Sequence, residues 1–98
     1  MYLKVHEGSG TRIVAVCDEG LVGKVLEEKG ACMDLDRYRA FYVGKEAKES
    51  EVKKELGNFN SANIVGEKSV KVALSMGLAG PKDVMYIKKT PYIQIYRF

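Results

Sequence analysis

The period of the hydrophobic pattern changes twice along this chain of 98 residues, and this change constrains the fold more than any single motif. Residues 2–43 favour strands, because apolar residues alternate with polar ones or run continuously, as they do over 13–17. From Lys45 the apolar residues recur every three to four positions, which is typical of helices, and from Val84 the strand pattern returns. This order predicts a single α+β domain over 1–98, with a mainly antiparallel sheet and two helices between N-terminal and C-terminal strands.

Two segments are predicted to be helices. The first, 48–57, carries an apolar stripe at helical spacing, formed by Val52, Leu56 and Phe59. The second has a polar start at Ser61 and extends to Gly77, which we expect to end it in a left-handed conformation. Most residues on its apolar face over 66–77 are small. This face is therefore expected to approach the sheet closely, or to bind another protein.

The short segments between these landmarks are predicted less directly. Residues 21–27 favour a strand over a helix, because they are β-branched and contain a glycine. Residues 38–43 are predicted as an edge strand or an ordered loop. The last two strands are expected at 84–87 and 92–98, joined through Lys88, Lys89, Thr90 and Pro91.

The distribution of apolar residues argues against a membrane-spanning or a secreted protein. No apolar run approaches the roughly 18 residues that a membrane-spanning helix needs, and the N-terminus alternates where a signal peptide would be continuously apolar. We therefore expect a cytosolic protein without a membrane partner.

The net charge is +3, and residues 61–98 carry six Lys and Arg against two Asp and Glu. This basic segment is compatible with binding a polyanion, and also with an ordinary solvated surface.

The C-terminal strands interleave tyrosines with basic residues. Cationic side chains neutralise phosphates and aromatic rings stack on unpaired bases, so this pattern suggests contact with RNA or a ribonucleoprotein. Tyr92, Tyr96 and Phe98 fall on one face of the last strand. The candidate nucleic-acid-binding residues are Lys68, Lys71, Lys88, Lys89, Tyr92, Tyr96 and Arg97. The alternative is that the tyrosines cover a small sheet and the lysines protect an edge strand from aggregation.

An enzyme is the alternative hypothesis for the turn that follows residues 13–17. Cys17 would be the nucleophile, with its pKa lowered by Lys24, Asp18 would orient it, and Glu67 would complete the cluster. In the structural alternative Cys17 is a core residue, Asp18 caps the turn and Lys24 is solvated. With two isolated cysteines and His6 as the only histidine, neither a closed Cys/His zinc site nor a cofactor is predicted.

The start of the second helix is a further candidate site. Helix entrances expose backbone N–H groups and the positive end of the helix dipole, so Gly66 and Glu67 could contact a phosphate. The charge of Glu67 opposes that role, because it would repel an anion close by.

Two runs carry a family resemblance: Val-Cys-Asp-Glu-Gly-Leu-Val-Gly-Lys at 16–24 and Ala-Asn-Ile-Val-Gly-Glu-Lys-Ser-Val at 62–70. Together they resemble a small archaeal family known as domain of unknown function 424, and the likeness covers nearly the whole chain. That family has a histidine where Tyr92 follows Pro91 here. The resemblance implies a cytosolic archaeal protein of this length and no established activity. It gives Asn63 and Gly66 as motif residues and leaves open whether the two runs meet in space.

Overall fold

The computed structural model describes residues 1–97, and Phe98, expected on the tyrosine face of the last strand, lies outside the described residues. The eight strands of this part of the chain are β1 (Tyr2–Gly8), β2 (Thr11–Cys17), β3 (Val25–Glu28), β4 (Ala31–Asp34), β5 (Lys45–Glu46), β6 (Ser61–Val65), β7 (Met85–Ile87) and β8 (Thr90–Tyr96). Its three α-helices are α1 (Arg39–Tyr42), α2 (Glu49–Glu55) and α3 (Glu67–Ser75). No helix within residues 1–97 is long and apolar enough to cross a membrane.

Six strands form one sheet in the order β5-β1-β2-β6-β8-β7, and β3 pairs with β4 in a separate hairpin. Every neighbouring pair is antiparallel except the central one, β2 with β6. These two strands run parallel from the pair Ile13 and Ser61 to the pair Cys17 and Val65. The predicted α+β class with a mainly antiparallel sheet is confirmed, with this one parallel pairing inside it.

The largest correction concerns residues 61–65, which were predicted as the polar start of the second helix. They form the central strand β6, because β2 and β8 satisfy its backbone hydrogen bonds on both edges. Burial of Ala62, Ile64 and Val65 on alternating faces stabilises the extended conformation. Gly66, with φ of 107°, then turns the chain, and α3 begins only at Glu67.

Two shorter segments and the bounds of both longer helices also differ from their predictions. Residues 38–43 contain the short helix α1 rather than an edge strand. Residues 21–27 are divided between a 3-10 turn at Glu19–Leu21 and strand β3. Both longer helices are shorter than predicted, since α2 ends at Glu55 and α3 at Ser75. Gly77 follows α3 with φ of 72°, so its predicted left-handed conformation is confirmed.

The main core lies between one face of the sheet and helices α2 and α3. Its buried members include Val14, Val16, Val52, Leu56, Ile64, Val70, Ala73 and Ile93. Val70 and Ala73, on the small-residue face of α3, are 3% and 0% exposed. Burial of these two residues against the sheet counts against the hypothesis that this face binds a partner protein.

The opposite face of the sheet is covered at one end by the β3–β4 hairpin and by residues of α1. A smaller cluster of buried side chains forms there from Cys17, Leu35 and Val65, with Tyr42 and Tyr92 packed against it. The central strands are thus covered on both faces where they end, which fixes the loops that follow them.

Candidate functional site

The two runs that carry the family resemblance meet where β2 and β6 end. Because these strands are parallel, their carboxyl ends lie side by side, and Asp18 N–H donates to the carbonyl of Val65 at 3.0 Å. Ligand sites of open sheets commonly form at the carboxyl ends of parallel strands. The question that the sequence left open is answered, since the 16–24 and 62–70 runs share one site.

The carboxylate of Asp18 caps helix α3 from across this junction. Its Oδ2 accepts a hydrogen bond from Lys68 N–H at 3.0 Å. Its Oδ1 accepts from Ser69 N–H at 2.8 Å and from the Ser69 hydroxyl at 2.7 Å. The N–H groups of Lys68 and Ser69 in the first helical turn are therefore occupied by an internal anion. This corrects the prediction that the Gly66–Glu67 entrance contacts a phosphate.

Gly66 makes this close approach possible. Its φ of 107° is unfavourable for residues with a side chain, and a Cβ built on it would lie 2.6 Å from Asp18 Cβ. Its own N–H donates to the carbonyl of Pro91 at 2.8 Å. The glycine is thus needed both for its backbone conformation and for the space that the capping carboxylate occupies.

Cys17 is a core residue and lacks the properties of a nucleophile. Its side chain is completely buried. Burial, with a further contribution from the negative charge of Asp18, raises the pKa of the Cys17 thiol to about 12. A catalytic thiolate needs the opposite shift, toward or below neutral pH. The enzyme hypothesis built on Cys17, Asp18, Lys24 and Glu67 therefore loses its nucleophile, and Asp18 is a capping residue.

Three lysines from separate segments line a cleft of about 430 Å³ over this junction. Lys24 comes from the loop after β2, Lys68 from the first turn of α3, and Lys89 from the turn between β7 and β8. We call this space the lysine cleft; its other lining residues are Met1, Asp18, Glu19, Gly20, Leu21, Glu67, Thr90 and Pro91. No sequence motif joins these three lysines, since only the fold brings them together.

Two of the three carboxylates in the lysine cleft have partners of their own. Asp18 caps α3, and Glu19 Oε1 accepts a hydrogen bond from the terminal amine of Met1 at 2.7 Å. That hydrogen bond and the positive charge of the amine lower the pKa of Glu19, so its carboxylate stays ionised and paired. Glu67 is the exposed carboxylate that remains beside the three lysines. The local charge available to a ligand is therefore positive.

A shallower groove of about 210 Å³ continues from the lysine cleft along α3. It shares Glu67, Lys89 and Pro91 with the cleft and adds Lys71 and Tyr86. Tyr86 is 64% exposed. We call this space the tyrosine groove. Its other lining residues are Val70, Leu74 and Val84.

The predicted nucleic-acid residues are divided by the fold. Lys68, Lys71 and Lys89 line the cleft and the groove. Lys88, the other residue of the β7–β8 turn, is exposed but lines neither space. Three of the seven candidate residues therefore line these two spaces.

The remaining predicted residues lie away from the lysines. Tyr92 faces the other side of the sheet and lines a cleft of about 520 Å³, in which no lysine or arginine is found among the described residues. Tyr96 is at the far end of β8, and Arg97 follows it, with its guanidinium carbon 4.2 Å from the centre of the Phe59 ring. Asn63 is in the middle of β6, opposite Ala15 and Gln94.

Sequence reasoning counted Tyr86 among the interleaved tyrosines but left it out of the candidate binding residues, and it assigned Lys24 to catalysis. The turn that contains Lys89 is the feature that could have indicated a function for this residue. Within residues 1–97, three two-residue hairpin loops have positive φ at both residues, namely Ser9–Gly10, Lys29–Gly30 and Lys88–Lys89. Such turns favour glycine at the second position, and only the loop beside the cleft has lysine there.

Comparison with known proteins places the chain in a family. The model of the family described as a protein of unknown function (DUF424) matches residues 6–98. The chain belongs to the DUF424 family. No curated protein matches it. Among solved structures, this DUF424 chain is similar to an uncharacterized conserved protein from Methanopyrus kandleri, with a TM-score of 0.80 and 25% sequence identity. The likeness covers 97% of this chain and 89% of the other.

Proposed function

We propose that this DUF424 protein is a binding module that holds the phosphate groups of RNA in the lysine cleft. The observation that supports this most strongly is the convergence of Lys24, Lys68 and Lys89, from three separate segments, around one open space. Lysine ammonium groups are phosphate-binding point charges with three donors each. Because Asp18 and Glu19 have partners of their own, the three lysines beside Glu67 leave a site that favours an anion.

A rigid frame supports the same role. The Asp18 cap fixes the first turn of α3, which carries Lys68, relative to the loop that carries Lys24. The Gly66 N–H bond to the Pro91 carbonyl fixes the beginning of β8, next to Lys89. A frame that is already ordered binds more tightly, because less conformational freedom is lost when the ligand arrives.

The ligand is proposed to be a chain of phosphates rather than a single small anion. Lys71 continues the row of positive charge beyond the cleft, and residues 61–98 as a whole carry an excess of basic side chains. A polyanion can contact all four lysines, whereas a single phosphate can contact only those that converge in the cleft. This role requires no nucleophile, which agrees with the burial of Cys17.

The test is binding of a fluorescein-labelled, single-stranded RNA measured by anisotropy as salt is increased. Each phosphate contact with a single strand contributes about −0.7 to the slope of log K against log salt, so contacts with the four lysines predict about −3. The triple variant Lys24→Gln, Lys68→Gln, Lys89→Gln should weaken binding and bring the slope to about −0.7, the contribution of Lys71.

The matched control is Lys54→Gln with Lys82→Gln, since both of these lysines are exposed and neither lines the lysine cleft. The control should bind like the unmodified protein. If the unmodified protein does not bind the RNA in low-salt buffer, or if the control loses as much affinity as the triple variant, the proposed function is wrong.

A further inference from the structure

We infer that the RNA lies as a single strand across both spaces, with its phosphates in the lysine cleft and one base stacked on Tyr86 in the tyrosine groove. This inference rests on the proposed function and adds the class of nucleic acid and the path of its backbone. Glu67, Lys89 and Pro91 line both spaces, so the two form one continuous surface.

The two walls of this surface carry different chemistry. On one wall, Lys68 and Lys71 lie one helical turn apart on α3, both exposed. On the other wall, Lys89 and Tyr86 belong to the β7–β8 hairpin, where Tyr86 pairs with Pro91 on the face that borders α3. A backbone that follows the lysines therefore passes directly beside an aromatic ring.

Tyr86 is suited to stacking because its ring is largely exposed and β7 is the last strand of the sheet. Within residues 1–97 the ring takes part in none of the aromatic or cation–π pairs, which involve His6, Phe41, Tyr42, Tyr38 and Phe59. An exposed tyrosine of this kind can stack on any base, and stacking needs bases that are not already paired in a duplex. The arrangement therefore favours a single strand.

The strained turn beside the groove supports the same conclusion. Lys88 and Lys89 have φ of 47° and 63°, a conformation that residues with side chains adopt at a cost. Strain of this kind tends to persist where a side chain is needed for function. Here the turn aims the backbone so that Lys89 contributes to both the cleft and the groove.

The test compares two probes that differ in their bases, a ten-nucleotide oligouridylate and an inorganic polyphosphate of similar length. Stacking is expected to make Tyr86→Leu bind the oligouridylate at least fivefold more weakly and the polyphosphate within twofold of the unmodified protein. Tyr86→Phe, which keeps the ring, should bind both probes normally. Annealing the oligouridylate to its complement should also weaken binding.

The possible failures separate the two proposals. If Tyr86→Leu binds the oligouridylate normally while the triple lysine variant does not, the stacking inference is wrong and the phosphate site remains. If Tyr86→Leu weakens binding of both probes equally, the ring maintains the shape of the groove and does not stack on a base. The inference is again wrong in that case. If neither probe binds at low salt, both proposals fail together.

Discussion

Asp18 and Ser69 are 51 positions apart in the chain, yet Ser69 donates two hydrogen bonds to the same carboxylate oxygen of Asp18. The serine is completely buried, so no water competes for these bonds. The contact ties the end of β2 to the first turn of α3. It therefore connects two of the three segments whose lysines line the lysine cleft.

Removing the carboxylate should destabilise the protein. Asp18→Ala deletes the helix cap and leaves the buried Ser69 N–H and hydroxyl without their partner, so we expect the free energy of unfolding to fall by about 2–4 kcal/mol. Asp18→Asn keeps one acceptor oxygen and should lose about 1 kcal/mol. Urea denaturation measures both. Asp36→Ala, an exposed aspartate paired only with Arg39, is the control and should change stability by less than about 0.5 kcal/mol.

Gly66 and Asp18 should show strong energetic coupling. Gly66→Ala places a methyl group against the Asp18 side chain and forces alanine into a positive φ, so we expect a loss of about 3 kcal/mol or more. In the double variant with Asp18→Ala the contacts of the new methyl group with Asp18 Cγ and Oδ2 are lost while the contact with Cβ remains, so the two losses should add only in part. A double-mutant cycle by urea denaturation should give a coupling energy above about 0.5 kcal/mol. Strict additivity would contradict the contact.

The two cysteines should react very differently with alkylating reagents. Cys32 is exposed, whereas Cys17 is buried and its pKa is raised to about 12, so at pH 8 it carries almost no thiolate. Iodoacetamide at pH 8 should add one label to the native protein, on Cys32, and two labels in concentrated urea. Peptide mass spectrometry locates the labels. Rapid native labelling of Cys17 would restore the possibility of a reactive thiol.

Replacing Lys89 in the turn between β7 and β8 should stabilise the protein. Lys89→Gly relieves a positive φ and is expected to raise the free energy of unfolding by about 1 kcal/mol, while RNA binding weakens. The reciprocal control is Gly30→Lys, at the same position of the β3–β4 turn, where a Cβ meets no atom within 4 Å. The Gly30→Lys variant should lose about 1 kcal/mol in the free energy of unfolding, and its RNA binding should be unchanged. If Lys89→Gly binds RNA normally, Lys89 is not a phosphate contact.

The sequence predicted most of the hairpin strands and the central strand β2, but it missed the central strand β6 and the edge strand β5. The antiparallel hairpins could be predicted because their strands are joined by short loops with recognisable turn residues, such as Gly8-Ser9-Gly10. The segment 61–65 could not, since five residues followed by a helix show no period of their own. What makes it a strand is pairing with β2 and β8, and that information is distributed over distant residues.

The candidate site was predictable only in part, for a similar reason. The basic character of residues 61–98 indicated Lys68, Lys71 and Lys89, but charge alone gives no direction in space. Tyr92 and Tyr96 fall on one strand face as predicted, yet that face is turned away from α3. The sequence shows which residues of a strand share one face, whereas only the sheet order decides which layer that face covers.

The parallel pairing of β2 with β6 also has a consequence during synthesis. Strand β2 is central in the sheet, but its second edge is covered only after residues 61–65 have been made. At about 5–20 residues per second, the ribosome leaves the β1–β2 hairpin with one open, valine-rich edge for several seconds. An open edge of that kind can pair with other chains. A nascent chain of this protein is therefore exposed to pairing with other chains until residues 61–65 have been made.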